Sequence, residues 1–289
     1  MSQTPSLNVP SVHSPRTLTD AYAALAERGG ALKVIAGGTD LMVLMNAHQL
    51  DARDFLDIWR LDELRGVEDE AGTIRIGALT TYTEIIRSEF VQRHIPALVA
   101  ASRTIGAIQI QNRGTLGGNV VNASPAGDSL PVLAAYDALV EVGSARGLRA
   151  VPFNQFYTGY RCSVLEPDEL VLGVRIPKLE TGEQDFFWKV GTRRAQAISK
   201  TVLAAKARSV DSVVNSINIG VGSVAPTVIR ARKTEQLLTG SQLTSELIEQ
   251  ARRRISEEVA PITDLRSSEH YRRIVTGNIL SKFLRSLTS

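Results

Sequence analysis

Two short segments carry residues whose types and spacing suit a phosphorylated ligand. The first is VIAGGTDLM at 34–42. At a strand-to-helix turn the backbone N–H groups can point at an anion. Gly37 and Gly38 let the chain approach a phosphate closely, and the dipole of the following helix favours the charge. Thr39 adds a hydroxyl donor. The plain alternative is a tight turn capped by Asp40. The pattern is neither G-x-G-x-x-G nor a Walker loop, since it has no lysine. The second segment is RGTLGGNVVNASPAGDS at 113–129. Gly117–Gly118 again exposes backbone amides, and Thr115, Asn119, Asn122 and Ser124 are short polar side chains. Asp128 follows as an acceptor for a sugar hydroxyl; the plain alternative is a polar surface loop with Asp128 as a helix N-cap. Two such segments in one domain point to a long diphosphate ligand held by both.

The elements around them read as follows. A helix from Thr17 places Leu18, Ala21, Tyr22 and Leu25 on one face and stops at Gly29–Gly30. LKVIA at 32–36 is a short buried strand, and Asp40 to Asn46 begins a helix, which gives strand, glycine turn, helix. FLDIWRL at 55–61 starts a second module, followed by an acidic turn at Glu68–Gly72 and an alternating strand over Thr73–Ala78. Thr81 or Thr83 caps the helix YTEIIRSEF, and Pro96 opens a helix over Ile95–Thr104. Beyond the second glycine segment come a helix, DSLPVLAAY, and two strands, ALVEV and ELVLGVRIP. The texture then changes. DFFWKVG, SKTVLAAKAR and VVNSINIGVGSVA read as three strands, the last two joined around Asp211. Helices follow near 230–239, 243–259 and 268–285. Strands followed by helices predict a separate α+β domain with an antiparallel sheet. The boundary falls near 178–185, in the polar KLETGEQ stretch.

Composition narrows the function. The chain has 289 residues, 43% hydrophobic and 22% charged, an ordinary globular balance. No apolar run approaches the ~18 residues of a membrane span. The first residues have neither a basic nor an apolar region of a signal peptide, so the expected location is cytoplasmic. A single cysteine, Cys162, allows no internal disulfide, no four-cysteine zinc site and no self-ligated iron–sulfur cluster. It is expected to be a small buried or half-buried side chain. The four histidines share no ligand spacing, so no protein-ligated metal is expected. The net charge is +3, with clusters at Arg252–Arg253–Arg254 and Arg272–Arg273. Without interleaved aromatics these read as solvated helix faces or a protein contact, not a nucleic-acid surface.

AGGTDL at 36–41 and TLGGN at 115–119, with NRG before the second and SPAGDSLP after it, resemble the FAD-binding (medium) subunit of the molybdenum hydroxylase family. That family includes the medium subunit of carbon monoxide dehydrogenase and the flavin domain of xanthine dehydrogenase. FNQFYTGYR at 153–161, DELVLGVRIP at 168–177, WKVGTRRAQAISK at 188–200 and GSVAPTVIRARKTEQLLTG at 222–240 are similar to family blocks in family order. The resemblance covers nearly the whole chain. It implies an α+β architecture. Residues 1–178 would form a two-part FAD-binding domain of the vanillyl-alcohol-oxidase (PCMH) type, with subdomains of about 1–55 and 56–178. Residues 183–289 would form a C-terminal domain of the carbon monoxide dehydrogenase flavoprotein type, with a three-stranded antiparallel sheet and a helical bundle. FAD would lie between the domains without a covalent bond. Its contacts map onto Val34, Ile35, Ala36, Gly37, Gly38, Thr39, Asp40 and Leu41 in the first segment. In the second they map onto Thr115, Leu116, Gly117, Gly118 and Asn119. Ile105, Asp128, Val171 and Lys189 also match contact positions. In that role Lys189 would hold a negative flavin oxygen or stabilise anionic reduced flavin; a strand-edge lysine is the plain alternative.

The resemblance further implies an electron-transfer subunit with no catalytic side chain of its own, the flavin being the redox group. Iron–sulfur clusters and molybdopterin would sit only on partners: a small two-cluster iron–sulfur subunit and a large molybdenum-cofactor subunit, as a dimer of heterotrimers. The electrons would pass on to NAD, a quinone or oxygen. Where xanthine dehydrogenase-like members carry acidic residues after a double arginine, this chain reads Arg193–Arg194–Ala195–Gln196, which weakens NAD as the acceptor. No cysteine-rich insertion for an extra cluster is present. The alternative is a self-contained FAD-dependent oxidase or reductase of the same cofactor fold; it needs its own substrate pocket and a positioned proton donor, for which the sequence offers no obvious residue beyond Tyr160 and Ser199.

Overall fold

The computed structural model describes residues 11–50, 52–193 and 196–288. Residues 1–10, on which the reading of the N-terminus rests, lie outside them. The first unit is small. Strand β1 (Ser11–His13) leads to α1 (Leu18–Arg28), whose N-terminus is capped by Thr17 accepting from the Asp20 N–H. The helix buries Ala21 and Leu25 and ends at Gly29. β2 (Lys33–Ile35), α2 (Leu41–Asn46) and β3 (Asp54–Asp57) follow. The three strands form a parallel sheet in the order β1-β3-β2. The strand–glycine turn–helix unit read from the sequence is therefore present.

The second unit is built on an antiparallel sheet. β4 (Val67–Asp69) and β5 (Thr73–Gly77) precede five short helices: α3 (Tyr82–Arg87), α4 (Glu89–His94), α5 (Pro96–Ser102), α6 (Ile108–Gln111) and α7 (Leu116–Asn122). Thr81, not Thr83, is the cap of α3, in a capping box with Glu84. The single helix expected over YTEIIRSEF breaks at Ser88, whose side chain caps α4. The buried helix α8 (Leu130–Ala135) follows, then β6 (Leu139–Ser144), β7 (Gly147–Pro152), the small hairpin β8 (Tyr157–Gly159) and β9 (Cys162–Ser163), and β10 (Leu170–Pro177). The sheet order is β4-β5-β10-β6-β7. Cys162 sits on the hairpin and is exposed, against the expectation of burial. A two-residue strand at a hairpin tip has no second layer to cover it.

The third unit begins with three long antiparallel strands, β11 (Glu183–Val190), β12 (Thr201–Val210) and β13 (Val213–Gly222). A two-residue strand β14 (Ile229–Arg230) extends the expected three-stranded sheet. Helices α9 (Arg232–Leu238), α10 (Ser245–Glu258) and α11 (Glu269–Ser286) pack with it around a core that includes Leu203, Ile219, Ile255 and Phe283. Arg272 is not a solvated side chain. It is 4% exposed and donates to the carbonyls of Lys200 and Ser223 and to Asp264. It reads as surface in sequence because a buried arginine whose Nη atoms meet distant carbonyls and Asp264 leaves no local signal.

The third unit is pinned to α8 and α5 of the second. Asn218 donates to the carbonyl of Ala135, and Arg230 to that of Ala134. The Asp185 carboxylate on β11 accepts from the Ala97 N–H at the start of α5 and from the Tyr136 hydroxyl, both at 2.6 Å. This docking carries the residues of β11 to the edge of the glycine segments.

Candidate functional site

In the first glycine segment the chain leaves β2 and turns at Gly38, where φ is +76° and side-chain residues are strained. Gly37 is held against the second segment so closely that a Cβ there would fall inside the carbonyl of Arg113. Arg113 is itself fixed by stacking its guanidinium on Trp59, 3.8 Å from the ring centroid. Among the described residues, the N–H groups of Gly37, Gly38, Thr39 and Asp40 have no hydrogen-bond partner within the chain. Four adjacent free donors on one tight turn form an acceptor's cradle. The helix behind them is six residues long, so the donors themselves, not a long helix dipole, define the feature. Asp40 precedes α2 without capping it through its side chain.

The second segment differs from the loop expected. Residues 116–122 form α7, with Thr115 as the N-cap accepting from the Gly118 N–H at 3.1 Å. The N–H groups of Leu116 and Gly117 donate to the carbonyls of Thr80 and Ala78, and that of Asn119 to Thr115. The Gly117–Gly118 amides are therefore consumed by the fold. Gly117 is needed for packing, since a Cβ there would lie 2.6 Å from that of Ala78. Asn119 keeps polar capacity. Its Oδ1 accepts from Ser129 Oγ at 2.8 Å, which leaves its amide NH₂ as the unspent donor.

Both segments line one cavity of about 390 Å³, within the range of small-molecule sites. Val34, Ala36, Gly37, Gly38, Thr39, Asp40, Leu41, Ile105, Thr115, Gly117, Gly118, Asn119 and Val171 reach its wall. Tyr82 and Arg161, which sequence reasoning gave no role there, also reach it. Ile35 lies on β2 outside the lining, and Leu116 is buried beneath it. A second cavity adjoins the first at Thr39, Asp40, Ile105 and Asn119 and extends to Asp128 and Ile198. The cleft is thus long, apolar over much of its wall and polar at the glycine turns. A free N–H cradle opening on two adjoining cavities can take an elongated ligand that carries an anionic group.

Asp128 and Lys189 meet rather than acting apart. Lys189 Nζ lies 2.5 Å from Asp128 Oδ2 and 3.1 Å from the Thr104 carbonyl. Ser199 Oγ donates to Asp128 Oδ1 at 2.5 Å. Burial pushes the Asp128 carboxyl up, opposed by the charge of Lys189 and by the hydrogen bonds from Lys189, Ser199 and Thr104. Asp128 lines the second cavity; Lys189 stands behind it and lines neither. Asp128 does not cap α8, whose N-cap position is Ser129. Ser199 has its hydroxyl committed to this cluster, and Tyr160 is exposed on the hairpin. Arg194 and Ala195 of the double-arginine segment lie outside the described residues; Arg193 donates to the Gln196 carbonyl.

Among the described residues no group of histidine, cysteine or carboxylate side chains is placed to hold a metal, and no helix is long and apolar enough to cross a membrane. Residues 6–179 match the family model of the FAD binding domain in molybdopterin dehydrogenase, and residues 186–287 that of the CO dehydrogenase flavoprotein C-terminal domain. The chain is 37% identical to the xanthine dehydrogenase FAD-binding subunit of Escherichia coli O157:H7, over 91% of this chain and 90% of that one. It is 32% identical to the glyceraldehyde dehydrogenase medium chain of Sulfolobus acidocaldarius, over 88% and 89%. In structure it is similar to a chain of carbon monoxide dehydrogenase from Hydrogenophaga pseudoflava that lacks the Mo-pyranopterin moiety. The TM-score is 0.92 at 29% identity, with 95% of each chain covered.

Proposed function

The chain belongs to the FAD-binding medium subunits of the xanthine dehydrogenase and carbon monoxide dehydrogenase family, and on that premise we propose that it is the flavin-carrying relay of a molybdenum hydroxylase. As a member of that family it is an oxidoreductase subunit of the α+β class with an FAD-binding domain. The observation that carries the proposal is the run of four free N–H groups at Gly37–Asp40, opening on a cleft walled by both glycine segments.

Bound FAD would supply the exchange between one-electron carriers and a two-electron acceptor. We assign its diphosphate to the 37–40 turn, with Thr39 Oγ1 and the Asn119 amide as side-chain donors. Asp128, kept in place by Lys189 and Ser199, offers a carboxylate to a hydroxyl of the ligand from the second cavity. Ile105 and Val171 exclude water from the cleft. Lys189 is a positioning residue for Asp128 in this arrangement, and its charge favours negative charge built up nearby. We assign residues 1–178 to the FAD-binding domain and 183–289 to the C-terminal domain; within the first, the division expected near 55 moves past β3, because Asp54–Asp57 is the central strand of the first sheet rather than the start of the second module.

The partners proposed are a small two-cluster iron–sulfur subunit and a large molybdenum-cofactor subunit, in a dimer of heterotrimers in the cytoplasm. One cysteine supports this, because two clusters need about eight ligands supplied elsewhere. Electrons would leave to a quinone or oxygen rather than NAD, a reading supported by the missing acids after Arg194. The test is rapid mixing of an aldehyde, purine or carbon monoxide with the co-purified complex and with the isolated flavoprotein. The complex should bleach its flavin absorbance after its clusters reduce, and the isolated chain should not respond. Turnover of an organic substrate by the isolated chain at the rate of the complex would replace this proposal with a self-contained flavoenzyme.

A further inference from the structure

A dinucleotide's diphosphate is a dianion, and taking it into a cleft is costly unless a cation or many donors meet it. Of the two glycine pairs only Gly37–Gly38 keeps free N–H groups, since those of residues 116–119 are spent on Thr80, Ala78 and Thr115. Two carboxylates also line the first cavity, Asp40 and Glu169. Glu169 is neutralised by a two-pronged bond from Arg149, which holds its carboxyl below the usual range. Asp40 has no such bond.

The cationic side chains lining that cavity, among the described residues, are Lys33 and Arg161. Lys33 is at the outer start of β2 and exposed. Arg161 is exposed too, but better placed. It occupies the tip of the β8–β9 hairpin at φ +53°, and Nη1 donates to Asn122 Oδ1 at 3.1 Å, at the end of α7. The base of the hairpin is tied to the same helix, because the Tyr157 hydroxyl donates to the Val120 carbonyl at 2.9 Å. The hairpin is thus fastened twice to the second glycine segment while its guanidinium faces the first. The field of Arg161 reaches Asp40: loss of solvent raises that carboxyl, and the arginine's charge opposes the rise. A guanidinium has five donors, and one is spent on Asn122.

We propose that Arg161 is the cationic ligand of the cofactor's diphosphate, closing from the hairpin over the N–H cradle at residues 37–40. The proposal rests on the assignment of that cradle to the diphosphate. It gives the hairpin, otherwise a surface appendage, a function. It also explains how a turn without a lysine or arginine of its own holds a dianion beside Asp40. Asn122 is the resting partner that keeps the guanidinium over the cleft.

The experiment measures binding of FAD and of riboflavin, which has no phosphate, to the full apo chain by flavin fluorescence. The variants are Arg161→Gln, Arg161→Lys, Lys33→Gln and Gly38→Val, each checked for fold by circular dichroism. Arg161→Gln should weaken FAD by about tenfold to a hundredfold, the size of a charged hydrogen-bonded pair. It should leave riboflavin unchanged and reduce the salt dependence of FAD binding. Arg161→Lys should recover part of the loss, and Lys33→Gln should cost little. Wild-type FAD affinity in Arg161→Gln alongside a large loss in Gly38→Val would overturn the arginine's role and leave the cradle standing. Wild-type affinity in both would overturn the cradle itself. A larger loss in Lys33→Gln than in Arg161→Gln would hand the role to the strand lysine.

Discussion

Lys189 and Asp128, 61 residues apart in sequence, meet at 2.5 Å where β11 passes the wall of the second cavity. Their side chains are 10% and 8% exposed, so each is the other's main compensation for leaving water. This pairing makes the docking of the third unit onto the second a condition for shaping the site.

Replacing Lys189 with Met should therefore strand a buried carboxylate. The expected loss is about 3–5 kcal/mol of folding stability, the usual result of removing one partner of a buried pair. Urea unfolding of the full chain reads it. The double variant Lys189→Met/Asp128→Asn should lose less than the single one. Equal losses in the two would show that a stranded Asp128 charge is not what destabilises Lys189→Met.

Gly37 and Gly38 should fail for different reasons. A Cβ at Gly37 collides with the Arg113 carbonyl, which is backbone and cannot step aside, so Gly37→Ala should separate the two segments and lower FAD occupancy sharply. A Cβ at Gly38 meets only the Ile35 and Met42 side chains at 3.6 Å and 3.7 Å, but φ +76° makes it unfavourable by about 1–2 kcal/mol. Gly38→Ala should thus bind FAD more weakly than wild type and better than Gly37→Ala. Flavin-to-protein absorbance ratios after desalting decide the order.

The first glycine turn was legible because a short apolar strand, two glycines and a following helix are all local signals. In the second, the exposed glycine amides expected from the sequence are taken up in helix α7. Gly117, Gly118 and Asn119 have low helix propensity, but Thr115 caps them and Gly117 packs on Ala78. The cap is a local signal, but the packing of Gly117 on Ala78 is a tertiary contact that leaves no trace in sequence spacing. The same holds for Ser199, whose hydroxyl reaches Asp128 from 71 positions away. Arg161 lies in the block FNQFYTGYR, which by itself assigns it no role, because only the folded hairpin carries it to the cleft. Cys162 was expected inside from its residue type, and its exposure is a consequence of that same hairpin.

Asp185 gives a pH-dependent test of the docking. Burial raises its carboxyl above the usual carboxylate range, opposed by the hydrogen bonds from Tyr136 and Ala97. A group with a raised folded pKa contributes its stability below the unfolded value, near ~4, and loses it as pH climbs through the folded value. The stability of wild type relative to Asp185→Asn should therefore decline as pH rises from ~4. Thermal midpoints of both proteins between acid and neutral pH measure this. A constant difference across that window would remove Asp185 as the titrating group.

Arg230 should be the residue whose loss most weakens the join between the units. Its side chain is 3% exposed. Nε and Nη2 bind the two oxygens of Glu235 at 2.6 Å and 2.9 Å, and Nη1 binds the Ala134 carbonyl at 3.1 Å and Asp137 at 2.6 Å. The last two partners flank the end of α8, so one guanidinium ties the edge strand β14 and helix α9 to the second unit. Arg230→Met keeps the length of the stem but leaves the buried Glu235 with the Ile219 N–H and, at 3.8 Å, the exposed Arg232 guanidinium as its partners. The expected cost is about 3–5 kcal/mol, and Arg230→Lys should recover only part of it because an ammonium lacks the fork that meets both oxygens. Since the join also brings β11 to Asp128, FAD affinity should fall in Arg230→Met even where the chain stays folded. Equilibrium unfolding and flavin titration of the same preparations separate the two effects. A variant as stable as wild type would show that the apolar contacts of α8 with the third unit suffice to hold the join.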